Sequence, residues 1–136
     1  MRAIVPGMVV CLALPACMDA GRLRGDTIVE TLSGRSVVYD PPGPDLPPER
    51  ETWRADGTRS ATQRGIFHRD WLQRYEGVWW VDGDLYCAAR ERSGNESRWL
   101  CYEVTRRGDR ITFEPYRRVL AFVPDLRRTL HGRLRD

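Results

Sequence analysis

The stretch from Gly77 to Glu114 constrains this chain more than any other, because three turn signals cut it into four short, largely apolar runs. The signals are Asp82-Gly83, Ser93-Gly94-Asn95 and Gly108. Asp-Gly between apolar runs is a strong hairpin signal, since a tight two-residue turn needs positive φ. Taken as a two-residue loop, Asp82-Gly83 sets Val81 opposite Asp84, Trp80 opposite Leu85, Trp79 opposite Tyr86 and Val78 opposite Cys87. A turn centred on Gly94 places Cys87 and Cys101 at equal distances on either side, so the two face each other. Opposed residues on adjacent antiparallel strands have Cβ atoms roughly 4.5–5.5 Å apart, close to what a disulfide requires.

Side chains alternate across a strand, so this pairing sorts every residue onto one of two faces. One face carries Trp79, Val81, Tyr86, Ala88, Leu100, Tyr102, Val104, Ile111 and Phe113, apolar throughout and wide enough for a core. The other carries Val78, Trp80, Leu85, Cys87, Ala89, Trp99 and Cys101, then turns polar at Glu103, Arg110, Thr112 and Glu114. A one-residue slip would exchange the faces and bury Thr112 and Glu114.

The N-terminus reads as an export signal, with Arg2 ahead of an apolar run of about 14 residues that is too short to span a membrane. Leu14-Pro-Ala-Cys17 resembles the lipobox of bacterial lipoproteins, although Pro15 departs from the usual Ala, Ser or Thr. The resemblance implies a signal peptide over 1–16, a diacylated Cys17 as mature N-terminus and, with Met18 following it, release to the outer membrane facing the periplasm. Two acyl chains suffice for stable anchoring. The alternative is an ordinary secretory signal cut after Ala16, leaving a soluble periplasmic or secreted protein. On either reading Cys11 leaves with the signal. If Cys17 is acylated, Cys87 and Cys101 remain as one pair in an oxidising compartment.

What remains after the signal is enough for one domain. The formal charge of +3 comes from 22 basic residues, all of them arginine, against 19 acidic ones. The interspersed acidic residues and the export signal argue against a nucleic-acid partner.

Residues 17–25 read as a tether and 26–123 as a single β-rich domain. Thr27-Ile-Val-Glu30 has the capping-box pattern, predicting a short helix that presents Ile28, Val29 and Leu32. Val37-Val-Tyr39 reads as a strand. Pro41 to Pro48 holds five prolines, so it runs extended as a connector or, alternatively, as a docking segment. Asp56-Gly57 predicts a second hairpin in which Trp53 pairs with Ser60 and shares its side with Ala55, Thr58 and Thr62. Gly65 to Tyr75 follows no clean period and is left as a helical turn or a loop. Arg118 to Val123 reads as a strand. Residues 124–136 read as a tail or short helix, because Leu126, Leu130 and Leu134 recur every four residues among arginines; such a helix would either pack on the domain or rest on anionic lipid.

Strands at short intervals predict a mainly β domain: an antiparallel meander, a curled sheet or a small barrel, with a short N-terminal helix. The order Ala-Asp-Gly-Thr, Gly-x-Trp-x-Val, Leu-x-Cys and Cys-Tyr-x-Val, spread over Leu32 to Phe113, resembles small secreted proteobacterial β-rich proteins of uncharacterised function. That resemblance implies a fold and an export route, with no catalytic residue to carry over.

Little in the sequence points to chemistry. His68 and His131 stand at no metal-ligand spacing, so no metal site, cofactor or catalytic group is predicted. An enzyme reading would combine His68 and Asp70 with Asp82 or Asp84, or pair carboxylates such as Glu103 and Glu114. Turn formation and a solvated sheet face account for the carboxylates Asp82, Glu103 and Glu114. The candidate binding surface is the half-apolar face, Val78, Trp80, Leu85 and Trp99 around the disulfide, unless the Thr27 helix or the Ile66–Tyr75 loop covers it. The function expected is a lipid-anchored periplasmic domain that binds an envelope protein or a small apolar ligand. The alternatives are a structural envelope lipoprotein without a discrete ligand and a small periplasmic hydrolase.

Overall fold

The computed structural model of the protein describes residues 21–65, 71–92, 99–116 and 128–136. The described strands follow one another around a closed antiparallel barrel: β1 Ser36–Tyr39, β2 Arg50–Trp53, β3 Thr58–Arg64, β4 Leu72–Asp82, β5 Leu85–Ala89, β6 Leu100–Arg107, β7 Arg110–Pro115 and β8 Leu130–Arg135. The barrel closes where β8 pairs with β1, from Ser36 opposite Arg135 to Tyr39 opposite Gly132. Of the three β architectures the turn spacing allows, this is the small barrel. Closure leaves no free first or last strand in the sheet.

Cys87 faces Cys101 and is bonded to it, with Cα atoms 4.1 Å apart. The face assignment built on that pairing holds in full. All nine residues of the apolar face lie in or against the interior cluster, and the other face forms a separate external cluster. The β4–β5 loop nevertheless differs from the expectation: it consists of Gly83-Asp84, so Trp80 faces Cys87 and Trp79 faces Ala88. The partners are displaced by two residues, and an even displacement leaves every side chain on its own face.

The β2–β3 hairpin is displaced by one, and there the faces exchange. Trp53 lies opposite Arg59 and not Ser60. The loop has three residues, Ala55 to Gly57, closed by Gly57 N–H to Arg54 O at 3.1 Å and Arg54 N–H to Thr58 O at 2.9 Å. Gly57 takes φ 87°, the left-handed residue that completes a three-residue loop. The Asp56 carboxylate accepts from Thr58 N–H and Oγ1–H, fixing the turn. In consequence Arg59 and Ala61 point inward, where Thr58 and Thr62 were expected.

The C-terminal segment corrects a third expectation. Leu130–Arg135 is a strand, not a helix. A spacing of four puts residues on one face of a helix but also on one side of a strand, and the alternation of Leu130, Gly132 and Leu134 with His131, Arg133 and Arg135 decides for the strand. Gly132 is required by close approach: a Cβ there would sit 2.6 Å from Val37 Cγ2 and 2.8 Å from Val38 O. Leu126 and the expected strand at 118–123 lie outside the described residues, as do the Ser93–Asn95 turn, His68, Asp70 and the signal with Cys17.

The short helix α1, Asp26–Leu32, is present, but Gly25 precedes its first turn and no side chain caps it, so the Thr27–Glu30 pattern does not act as a capping box. Ile28, Thr31 and Leu32 are buried while Val29 faces out. The helix runs from beside the Gly83-Asp84 turn to the end of β2, where Gly34 N–H bonds Trp53 O. Residues 21–24 are not a loose tether: Leu23 N–H bonds Val104 O and Arg106 N–H bonds Gly21 O, extending the sheet beside β6 beyond the end of β5. Most of Gly65–Tyr75 that is described belongs to β4, which begins at Leu72.

These connections make the two barrel ends unlike. One end carries the three tight turns and α1. At the other, the strands joined by the longer stretches 40–49, 65–71, 90–99 and 116–129 end and begin.

Candidate functional site

The interior is filled mainly by aromatic rings. Phe113 lies 5.3 Å from Tyr86, 5.8 Å from Trp53 and 6.1 Å from Tyr39, centroid to centroid. Among these rings sits one buried carboxylate. Glu51 follows from strand alternation: it lies two residues before Trp53 on the same face of β2, and so points into the barrel. Its Oε2 accepts from the Tyr39 hydroxyl at 2.8 Å. Its Oε1 accepts from Trp53 Nε1–H at 3.0 Å, from Arg59 Nη1–H at 3.0 Å and from the Tyr86 hydroxyl.

The pair is well shielded, with Glu51 and Arg59 side chains 7% and 12% exposed. Burial opposes the Arg59 charge, but Glu51 beside it, together with Tyr86 and Tyr39, more than offsets that and holds the guanidinium above its ordinary value. Burial, then the Glu51 charge, pushes the Tyr39 and Tyr86 hydroxyls well above the usual tyrosine range. The same causes raise Tyr102 to about 12. The remaining cavity beside the cluster is about 40 Å³. That is room for water, not for an organic ligand. The cluster is therefore a closed buried network rather than an open reaction centre, its carboxylate and hydroxyls hydrogen-bonded and Arg59 Nε buried without a partner.

The external face expected to bind is assembled as predicted, with Val78, Trp80, Leu85 and Trp99 gathered over the disulfide. It packs largely on itself. The Trp80 and Trp99 rings meet edge to face at 4.9 Å, Arg92 lies over Trp80 at 5.1 Å, and Trp80 is only 8% exposed. Helix α1 does not cover this cluster; it packs on the interior one at the tight-turn end.

At the long-loop end the aromatic side chains of Trp71 and Tyr116 are 58% and 52% exposed, while Tyr75, on β4 opposite Ala61, is 42% exposed. A cleft of about 200 Å³ lies between the start of the proline-rich connection and the start of β8. Within it, Glu49 Oε1 accepts from Arg128 Nη2–H at 2.7 Å and lies 3.8 Å from Arg64 Nε. Arg64 also donates from Nη2 to Pro47 O at 2.6 Å, which ties the connection to β3.

Sequence reasoning missed Glu51, Arg59 and this cleft. The signal for Glu51 was available in its alternation with Trp53, whereas the cleft joins residues from four separate segments. Of the carboxylates considered for catalysis, Asp82 and Asp84 lie at the β4–β5 turn. Glu103 and Glu114 face each other across β6 and β7, with Glu103 3.0 Å from Arg22. Among the described residues no group of three or more His, Cys, Asp or Glu is placed to hold a metal ion. No protein-family model, curated protein or solved structure matches the chain.

Proposed function

We propose that this protein is a binding barrel of the bacterial envelope, lipid-anchored through Cys17, whose long-loop end engages its ligand or partner. The observation that carries this reading is the difference between the two ends. The chain enters at the tight-turn end, where Gly21 is bonded to Arg106, and that end is crossed by α1. From Cys17 to Gly21 the chain can reach at most about 14 Å even fully extended. A lipidated Cys17 therefore holds the tight-turn end near the membrane and turns the long loops away from it.

The long-loop end has what a contact surface needs: two exposed aromatic side chains, Trp71 and Tyr116, and a cleft with charged walls. The external tryptophan cluster contributes less, because the Trp80 ring is buried by its neighbours. Two measurements test the reading. Mass spectrometry of the mature N-terminus should find a diacylglyceryl group on Cys17, and Cys17→Ala should release the protein from the membrane fraction. Unmodified Cys17 in an exported protein would remove the anchor from the account.

A further inference from the structure

β4 is longer than its neighbour on one side. Its pairing with β3 runs unbroken from Thr58 opposite Val78 to Arg64 opposite Leu72, whereas its pairing with β5 stops at Val78 opposite Ala89. Residues 72–76 therefore extend past the end of β5, and among the described residues nothing pairs with them on that side. Arg74, Tyr75 and Glu76 are exposed in succession. A strand with one covered face buries alternate residues, so three exposed in a row mark a stretch open on both faces.

The β4–β5 turn fixes which backbone groups point to the open edge. Asp82 and Leu85 flank a two-residue loop, so Asp82 and every second residue before it, Trp80 and Val78, direct N–H and C=O toward β5. Trp79 belongs to the alternate set, and its N–H bonds Gly57 O on the β3 side. By the same alternation Leu72, Arg74 and Glu76 aim their backbone groups at the open edge. Such an edge is a template for another strand unless proline, a bulge or charge blunts it. Residues 72–76 include no proline, and their register with β3 holds no bulge. Their charges are of opposite sign. Arg74 lies 3.1 Å from Glu76, whose other oxygen is 3.5 Å from Arg54, and the Arg74 and Glu76 side chains are 69% and 59% exposed. An ion pair so open to water is weak and free to exchange partners.

We infer that this edge is a self-association surface, on which a second copy of the chain lays its own residues 72–76 antiparallel about a two-fold axis through Tyr75. That register sets Arg74 opposite the second copy's Glu76, and Glu76 opposite its Arg74. Both residues belong to the set aimed at the edge, so each pair exchanges its backbone hydrogen bonds. An axis through Arg74 or Glu76 would oppose like charges, and an axis between residues would oppose a residue aimed at the edge with one aimed away. The two Tyr75 side chains meet as a non-hydrogen-bonded pair, where side chains come closest, and each ring covers the other. The contact is self-complementary, as a two-fold dimer requires. This association goes beyond the binding reading and depends neither on the anchor nor on what the long-loop end binds.

Sedimentation equilibrium of the full chain from about 10 µM to 1 mM, the range suited to so short an interface, should show a monomer–dimer equilibrium. Arg74→Glu and Glu76→Arg should each weaken it about tenfold, since each sets like charges opposite one another twice. An equimolar mixture of the two variants should recover the association, because every opposed pair is then of unlike charge. On mild oxidation Tyr75→Cys should form an intermolecular disulfide beyond the wild-type level, as directly opposed Cβ atoms lie near disulfide distance, while Glu114→Cys, exposed on β7, should not. A chain that stays monomeric throughout, a dimer indifferent to both charge reversals, or equal crosslinking from Tyr75→Cys and Glu114→Cys would overturn the inference. Wild-type sedimentation needs no variant, so a misfolded variant leaves the test intact.

Discussion

Arg59 donates to Glu51 at 3.0 Å inside the barrel, and it does so because the β2–β3 loop has three residues and not two. A two-residue loop would put Ser60 opposite Trp53, send Arg59 outward and leave Glu51 unpaired among aromatic rings. The turn chemistry of Asp56 and Gly57 thus determines whether the interior charge is neutralised.

Removing one partner of this pair is expected to be costly. Arg59→Met leaves a buried carboxylate without its counter-charge, a loss of about 3–5 kcal/mol for a pair this well shielded. Replacing both, Glu51→Gln with Arg59→Met, should cost less than Arg59→Met alone, because no net charge is left inside. Urea unfolding of the wild type, of Arg59→Met and Glu51→Gln singly, and of the double variant measures this. A double variant as unstable as the sum of the single ones would show that the two residues do not interact.

Alkaline pH should unfold the barrel. Tyr39, Tyr86 and Tyr102 have folded-state values raised above the ordinary value of about 10, so the native state holds these protons more tightly than the unfolded chain. Their contribution to stability is complete below about pH 10 and is lost as the pH rises through the folded-state values. Absorbance at 295 nm and far-ultraviolet circular dichroism, followed together from pH 9 to 13, should show the last tyrosines ionising as the fold is lost. Full ionisation with the sheet signal unchanged would contradict the burial of the three hydroxyls.

The disulfide should contribute substantially. Closing a loop of about 15 residues is worth about 3 kcal/mol on the chain-entropy argument. At roughly 4 °C per kcal/mol for a domain of this size, reduction or a paired Cys87→Ala, Cys101→Ala change should lower Tm by about 10 °C or more. Calorimetry with and without reductant measures the difference. An unchanged midpoint would mean that the link does not constrain the unfolded chain.

Gly132→Ala tests the closure of the barrel. The added methyl group would meet Val37 and the carbonyl of Val38, and the carbonyl cannot withdraw without breaking the β1–β8 ladder. Overpacking of this kind costs about 1–3 kcal/mol. Gly43→Ala, whose nearest contact would be a comfortable 3.7 Å from Leu46, is the control. Equal stability of the two variants would argue that β8 does not pack against β1 as described.

The central half of the barrel was legible in the sequence because several independent signals agree there. Glycine turns, opposed cysteines and apolar alternation all require one face assignment, and that assignment survived a loop displaced by two residues. The β2–β3 hairpin was less legible for a physical reason: Asp-Gly serves both two- and three-residue loops, and nothing nearby fixes the parity as the cysteines do for β5 and β6. β8 was hidden by a leucine spacing that helix and strand share. The cleft draws on residues far apart in sequence, so it emerges only once β1 and β8 are joined.

The most direct measurement of where this protein binds is photocrosslinking in intact envelopes, with the reactive side chain placed in turn at Trp71, Tyr116, Asp82 and Asp109. The account predicts a discrete crosslinked partner from Trp71 and Tyr116 at the long-loop end and none from the two turn positions beside the proposed anchor. Crosslinks to the same partner from Asp82 and Asp109, with none from Trp71 and Tyr116, would contradict it.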